Sequence, residues 1–228
     1  MNLDKPLTKK FNDGIYNGQI IGVLRSGIGI EISYNGDVYG GQWDDNKRHG
    51  KGFCYYSNGD IYGGDWINNK RHGKGVLKCL SGFFYKGDWE DDKREGKGIA
   101  NYGYGKVYNG DWYNNMRHGK GRIKLIGGTI YKGDWENGIY HGKGLLTCYD
   151  GAVFEGNYKY LKKNGKGVAK CKHGTIYTGE WENDHIYGNG ILKFLDGDIY
   201  EGNLENYTSN CKRVCNCFTC GELDNNND

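Results

Sequence analysis

The chain has 228 residues, a net charge of +3, 41 glycines, one proline and 36% hydrophobic residues. Glycine at this level without proline excludes collagen, and 20 tyrosines and 6 tryptophans argue against a disordered chain, because such chains are poor in aromatic residues. The small net charge gives no general reason to expect nucleic acid as a partner. No apolar stretch is long enough to span a bilayer and the first residues lack the apolar core of a secretory signal, so we expect a cytoplasmic protein.

In chain order the sequence divides into an N-terminal extension, residues 1–14, a repeat array, residues 15–207, and a cysteine-rich polar tail, residues 208–228. An aromatic residue recurs every 23 positions in the array, from Tyr16 to Tyr200, and defines nine units. Glycine follows two positions later in every unit, and tryptophan follows four positions later in six of them. A fixed period of this length indicates a repeat architecture.

Each unit has the pattern of a β-hairpin. In the unit at Tyr62, DIYGGDW alternates and is rich in strand-forming residues, INNKRH is polar and is predicted as a loop, and GKGVLKCL is predicted as a second strand. Asn58-Gly59 and Asp150-Gly151 are signals for tight turns between one hairpin and the next. The array is therefore predicted to be an all-β antiparallel meander.

The alternation of residue types also predicts which side chains share a face. Tyr62, Gly64 and Trp66 lie on one face of the first strand, and Gly75 and Leu77 fit the same face of the second. A strand glycine leaves room for a neighbouring aromatic ring to lie across the backbone. Tyrosine and tryptophan rings are therefore predicted to stack from unit to unit as a continuous ladder.

The repeated YxGxW, followed by a polar segment and then HGKG or GKG, resembles the MORN (membrane occupation and recognition nexus) repeat over most of the array. The resemblance implies an elongated, single-layer antiparallel sheet of about nine 23-residue hairpin repeats. Such arrays occur in junctophilins, in some lipid kinases and histone methyltransferases, and in ciliary and cytoskeletal scaffolds. The resemblance also points to a homodimer formed through the C-terminal repeats. The alternative is a cysteine tail that folds back as a cap and leaves a monomer.

The aromatic ladder is a candidate groove for a protein partner as well as a core. A single-layer sheet cannot cover its own apolar face, and large exposed apolar patches usually mark interfaces. The predicted groove residues are Tyr39, Trp43, Tyr62, Trp66, Tyr85, Trp89, Tyr108, Trp112, Tyr131 and Trp135.

The polar loops carry a second candidate site, a basic edge that would bind anionic lipid headgroups. Its residues are Lys47, Arg48, Lys70, Arg71, Lys93, Arg94 and Arg117. Basic residues near an anionic membrane contribute about 1 kcal/mol each. The alternative is a solvated edge that discourages aggregation, and aspartates in the same loops partly cancel the charge.

The cysteines fall into two groups. Cys54, Cys79, Cys148 and Cys171 lie on second strands of different units, too far apart to pair with one another, and are predicted to be buried thiols. In the tail, four cysteines within ten residues offer three alternatives: a zinc site, acylated membrane anchors, or thiols without a ligand. These residues are Cys211, Cys215, Cys217 and Cys220.

The sequence has no phosphate-binding loop and no pairing of a nucleophile with a base, so we expect no enzyme activity and no cofactor besides zinc. The predicted function is a non-catalytic scaffold that binds other proteins through the aromatic groove, at a membrane or a cytoskeletal structure. Two alternatives stay open: an adapter that binds anionic phospholipid headgroups through the basic edge, and a regulatory subunit of an enzyme on another chain. Phospholipid binding belongs to the first of these alternatives.

Overall fold

The computed structural model of the chain describes residues 6–204, which contain eighteen (18) β-strands. The strands are β1 Leu7–Lys10, β2 Gly14–Ile21, β3 Leu24–Ser33, β4 Val38–Asp44, β5 Lys47–Tyr55, β6 Ile61–Ile67, β7 Lys70–Lys78, β8 Phe84–Glu90, β9 Lys93–Asn101, β10 Val107–Tyr113, β11 Met116–Lys124, β12 Ile130–Glu136, β13 Ile139–Thr147, β14 Val153–Lys159, β15 Lys162–Lys170, β16 Ile176–Glu182, β17 His185–Lys193 and β18 Ile199–Asn203. Within this range no helix is long and apolar enough to cross a bilayer.

The strands belong to two compact units. The N-terminal unit contains residues 6–103 and 112–115, and the C-terminal unit contains residues 104–111 and 116–204. In each unit consecutive strands pair antiparallel, so each is a meander of hairpins, and the all-β prediction is confirmed. The predicted N-terminal extension is not separate from the fold, because β1 pairs with β2.

The two strands of a hairpin are joined by a two-residue turn. Between β6 and β7 both turn residues have positive φ, 50° at Asn68 and 71° at Asn69, and Ile67 pairs with Lys70 across the turn. Two left-handed residues form a type I′ turn, whose twist matches that of the flanking strands. The predicted loop INNKRH is therefore wrong in its extent, since the second strand begins at Lys70 and carries the basic residues.

A β-bulge shifts the register in the middle of each hairpin. In β6 and β7 Gly64 pairs with Gly75, whereas the next residue, Asp65, pairs with His72. Gly73 lies in the bulge with φ of 54°, a conformation that glycine adopts without steric cost. The Asp65 carboxylate accepts a hydrogen bond of 3.0 Å from the Lys74 N–H and so holds the bulge closed.

Tight turns also join one hairpin to the next, as predicted at Asn58-Gly59. The Gly59 N–H donates to the Tyr56 carbonyl oxygen at 2.9 Å, and Gly59 has φ of 89°. The Asp60 carboxylate accepts a 3.0 Å hydrogen bond from the Leu80 N–H one repeat later. The turn at Asp60 is thereby fastened to the next turn, and Asp37 accepts the same bond from the Ser57 N–H.

The cysteine predictions have mixed outcomes. Cys54 and Cys79 are free thiols, and burial raises the pKa of both. Cys171 is buried, as expected. Cys148 is buried but disulfide-bonded, so the prediction of a thiol at that position is wrong.

Candidate functional site: the two faces of the sheet

Aromatic rings of the N-terminal unit form a ladder on one face of the sheet. The Tyr62 ring meets the Trp66 ring of its own repeat edge-on, with ring centroids 5.1 Å apart. It also meets the Trp89 ring of the next repeat edge-on at 5.5 Å. The same pair of contacts recurs around Tyr39 and Tyr85, so each tyrosine is held between two indoles.

The C-terminal unit continues the same arrangement with substitutions. Phe154 replaces the repeat tyrosine and contacts Tyr158 at 5.4 Å and Trp181 at 5.1 Å, both edge-on. Tyr131 contacts Trp135 at 5.4 Å and Tyr158 at 5.2 Å. Such edge-to-face pairs contribute about 0.5–1.5 kcal/mol beyond the area that they bury.

Several polar atoms of the ladder donate hydrogen bonds to backbone groups, whereas the Trp89 indole N–H and the Tyr158 hydroxyl are buried without a hydrogen-bond partner among the described residues. The Tyr62 hydroxyl donates to the Asp65 carbonyl oxygen at 3.1 Å, and the Trp66 indole N–H donates to the Gly52 carbonyl oxygen at 3.2 Å. Burial raises the pKa of the Tyr39, Tyr62 and Tyr85 hydroxyls. These phenols therefore stay neutral donors at any physiological pH.

The ten predicted groove residues lie within this ladder, and every one of their side chains is buried. Their exposed fractions range from zero for Tyr39, Tyr62, Tyr85, Tyr108 and Tyr131 to at most 4% for Trp43, Trp66, Trp89, Trp112 and Trp135. A bound protein would have to displace other side chains to touch these rings. They form the core of the sheet, and the open groove lies elsewhere.

Arginines cover the ladder instead of projecting from an edge. Arg71 lies opposite Trp66 on the paired strand, and its guanidinium carbon lies 4.3 Å from the centroid of the Trp89 ring. Arg94 lies 4.5 Å from the Trp112 ring and Arg117 lies 4.9 Å from the Trp135 ring. Cation–π contacts of this kind contribute about 0.5–2 kcal/mol, depending on how far the pair is desolvated.

The same arginines are engaged by polar groups as well. Arg48 forms an ion pair of 3.1 Å with Glu31, and Arg71 forms one of 2.8 Å with Asp92. Arg117 is only 7% exposed and donates to the Gly138 carbonyl oxygen at 3.0 Å. The arginines among the seven residues predicted to bind anionic lipid therefore contact rings and polar groups of the fold itself.

The three lysines of that prediction are placed differently. Lys47, Lys70 and Lys93 are the first residues of β5, β7 and β9, and all three are exposed. Lys70 forms an exposed ion pair of 3.1 Å with Asp91. Lipid binding stays a prediction, and the lysines are the residues through which it would act.

In each unit, the face of the sheet opposite the aromatic ladder is open and carries a groove. In the N-terminal unit the groove floor consists of strand glycines, including Gly29, Gly41 and Gly52. The residues on either side of these glycines project from the floor and form the walls. The walls carry Ile28, which is 61% exposed, Ile30 and Phe53, which is 46% exposed. The groove has a volume of about 680 Å³. Sequence reasoning missed it, although the apolar residues next to the second glycine of each repeat could have indicated it.

The groove of the C-terminal unit has the same glycine floor and different walls. Its volume is about 780 Å³, and its walls carry Lys120, Arg122, Lys132, Lys143 and Lys166. Glu155 is the one carboxylate among the residues that line it. The two grooves therefore share a backbone geometry and differ in chemistry, one being apolar and the other basic.

The predicted zinc ligands Cys211, Cys215, Cys217 and Cys220 lie outside the described residues. Within residues 6–204 no group of three or more histidine, cysteine, aspartate or glutamate side chains is placed to hold a metal ion.

The repeat geometry agrees with a known family. The MORN repeat matches residues 39–61, 62–82, 85–102, 108–129, 131–153 and 177–199, more than half of the chain. The chain belongs to the MORN-repeat family. Each matched stretch begins at the tyrosine of a repeat and contains one of the six (6) tryptophans. The units that begin at Tyr16, Phe154 and Tyr200 carry Ile20, Tyr158 and Leu204 at that position.

Solved structures similar to this MORN-repeat chain include two TCP domains. The wild-type TCP10 domain of Danio rerio CPAP is 14% identical, with 86% of this chain and 99% of that chain covered and a TM-score of 0.45. The SAS-4 (dCPAP) TCP domain of Drosophila melanogaster, in complex with a proline-rich motif of Ana2, is 10% identical, with coverages of 68% and 84% and a TM-score of 0.43. No curated protein matches the chain significantly.

Proposed function

We propose that this MORN-repeat protein is a non-catalytic scaffold that binds other proteins through the open face of its sheet. The observation that carries the proposal is the apolar groove of the N-terminal unit. Ile28, Ile30 and Phe53 expose large apolar side chains side by side along a glycine floor. An exposed apolar patch of this kind usually marks a site of interaction with another protein.

The chemistry of the two faces supports the choice of the open face. The ladder face is filled by its own rings and arginines, which leaves little apolar surface for a partner. The open face has walls of side chains and a floor of backbone, so a bound segment could contact both. Strand glycines such as Gly41 allow close approach of another chain to the sheet.

A pull-down with matched variants tests this function. Changing Ile28 and Ile30 together to lysine places two charges in the apolar groove, and we expect loss of the proteins that the wild-type chain captures. Val23→Lys is the control, because Val23 is exposed in the turn between β2 and β3, away from the groove. Equal capture by the double variant and the wild type would contradict the proposal.

The exposed lysines support a second candidate, an adapter that binds anionic membranes. Lys47, Lys70 and Lys93 recur at one position of successive repeats, so their ammonium groups could contact one membrane surface. Changing all three to glutamine should abolish flotation with vesicles that contain phosphatidylserine. Wild-type protein that fails to float at low salt would exclude this candidate.

A further inference from the structure

The basic groove of the C-terminal unit points to one class of partner. Its cations are Lys120, Arg122, Lys132, Lys143 and Lys166, all exposed, and Glu155 is the one carboxylate among the residues that line it. The apolar groove of the N-terminal unit has one charged lining residue, Lys51, which forms an ion pair with Asp65. The basic charge is therefore a feature of one groove and not of the fold.

At one position the sequence lacks an acid that would neutralise these cations. In the N-terminal unit Lys51 and Lys74 pair with Asp65 and Asp88. Lys143 occupies the same repeat position, but the residue opposite it on β14 is Asn157, which carries no charge.

The remaining cations of the groove form few ion pairs, although Lys166 lies opposite Glu180 on β16. Within residues 6–204, Lys120 is the only one of the five that forms an ion pair, with Asp134. Across the strands Lys132 lies opposite Arg122 on one side, so two cations are neighbours in one wall. Like charges placed opposite each other destabilise a sheet, and an anionic ligand would relieve that cost.

The spacing of the lysines matches an extended peptide that runs across the strands. Lys120, Lys143 and Lys166 lie on β11, β13 and β15, so successive lysines are two strands, or about 9.6 Å, apart. Three residues of a polyproline II chain advance about 9.3 Å, and three residues of a β-strand advance about 10 Å. An extended chain with a carboxylate at every third residue would therefore meet each lysine in turn.

The shape of the groove favours a peptide over a membrane surface. The floor consists of Gly121, Gly133, Gly144 and Gly156, and it is recessed between two rows of side chains. A bilayer surface would meet only the tips of the side chains, whereas a single chain can enter the groove. Leu145, 36% exposed, adds an apolar contact in one wall that a membrane headgroup would not use.

We infer that the C-terminal groove binds an extended acidic segment of a partner protein, with acidic residues at every third position. This inference rests on the proposed function, because it names the class of partner for the same face of the sheet.

Fluorescence anisotropy with the full chain tests the inference. The probe is a labelled peptide that repeats Glu-Pro-Ser, and the control peptide has the same composition with its glutamates in one block. We expect K120Q/K143Q/K166Q to raise the Kd of the repeating peptide about tenfold, since each exposed pair contributes only a little. The matched control K51Q/K74Q/K97Q, at the same repeat position in the N-terminal unit, should change the Kd less than about twofold.

Three outcomes would overturn the inference: no saturable binding of the repeating peptide up to about 1 mM, equal effects of the two triple variants, or equally tight binding of the block peptide. Flotation with phosphatidylserine vesicles that needs Lys120, Lys143 and Lys166, without peptide binding, would assign the groove to lipid and also overturn it. If the triple variant does not fold, Lys143→Glu alone must weaken the binding. If the repeating peptide does not bind, but the I28K/I30K variant still loses the proteins captured in the pull-down, the inference fails and the proposed function stands.

Discussion

The indole N–H of Trp66 donates a hydrogen bond of 3.2 Å to the carbonyl oxygen of Gly52, in the preceding repeat. The same bond joins Trp43 to Gly29 at 3.3 Å and Trp135 to Gly121 at 3.1 Å. The glycine thus has two roles, since its missing side chain admits a tyrosine ring and its carbonyl group fixes the next tryptophan. The ladder is therefore bonded from repeat to repeat as well as packed.

Replacing a ladder glycine should destabilise the protein. In Gly87→Val the new Cβ would lie 2.5 Å from the Tyr85 hydroxyl oxygen and 2.5 Å from the Gly98 Cα, so the ring or the paired strand must move. We expect a loss of about 1–3 kcal/mol in the free energy of unfolding, measured by urea denaturation.

Gly63 supplies the matched control for that substitution. It lies one position after a repeat tyrosine, on the open face, and a Cβ at Gly63 would meet no atom within 4 Å. Gly63→Val should therefore change the free energy of unfolding by less than about 0.5 kcal/mol. Similar losses in the two variants would contradict the packing of tyrosine over the ladder glycines.

Replacing an arginine that covers the ladder should lower the free energy of unfolding more than replacing its lysine neighbour. Arg71→Gln deletes the contact with the Trp89 ring and the ion pair with Asp92, and we expect a loss of about 1–2 kcal/mol. Lys70→Gln removes one exposed ion pair and should cost less than about 0.5 kcal/mol. Urea denaturation of both variants checks this. Equal free energies of unfolding for the two variants would contradict the contact of Arg71 with the ladder.

High pH should unfold the protein by ionising tyrosines that the fold shields from water. Burial raises the pKa of Tyr177 to about 12, and burial raises the pKa of Tyr56 to about 12 as well. A raised folded pKa means that the stabilisation is complete below the unfolded value of about 10 and is lost as the pH rises through the folded value. Tyrosinate absorbance should therefore rise together with the loss of strand signal in circular dichroism. A full tyrosinate signal from a protein that is still folded near pH 10 would contradict this.

The terminal hairpin should support a homodimer. β18 pairs with β17, and it exposes Ile199 and Tyr200, which continue the apolar pattern of the array. An exposed strand is a template for pairing with a second chain, and closed twofold dimers are the commonest oligomers. Light scattering should give a dimer for the full chain and a monomer for a chain that ends at Gly190. A monomeric full chain at high micromolar concentration, or a dimer of the shortened chain, would contradict this prediction.

Much of the fold could be predicted because one local pattern is repeated. The alternation around Tyr62 assigns its face, the glycines explain how the ring fits, and Asn58-Gly59 specifies a turn. The position of Arg71 was harder to predict, because polar residues that follow Asn68-Asn69 resemble a loop. The asparagine pair is itself a type I′ turn signal, and it implies that the strand resumes at Lys70.

The aromatic pattern alone does not distinguish a core from a binding face. Tyrosine and tryptophan are frequent in both cores and interfaces, so Trp66 fits either role. The distinction depends on what covers the rings, and Arg48 covers Trp66 from a different repeat. The grooves likewise depend on residues that come together across strands, such as Ile30 and Phe53.

Photo-cross-linking in cells tests most directly whether partners bind the open face of the sheet. A benzophenone side chain would be placed at Phe53 in the apolar groove, at Lys132 in the basic groove, and at the exposed turn residues Leu80 and Tyr104 as controls. We predict cross-links to other proteins from Phe53 and Lys132 and none from the two controls. Cross-links that form only from Leu80 or Tyr104 would contradict the assignment of the open face as the binding surface.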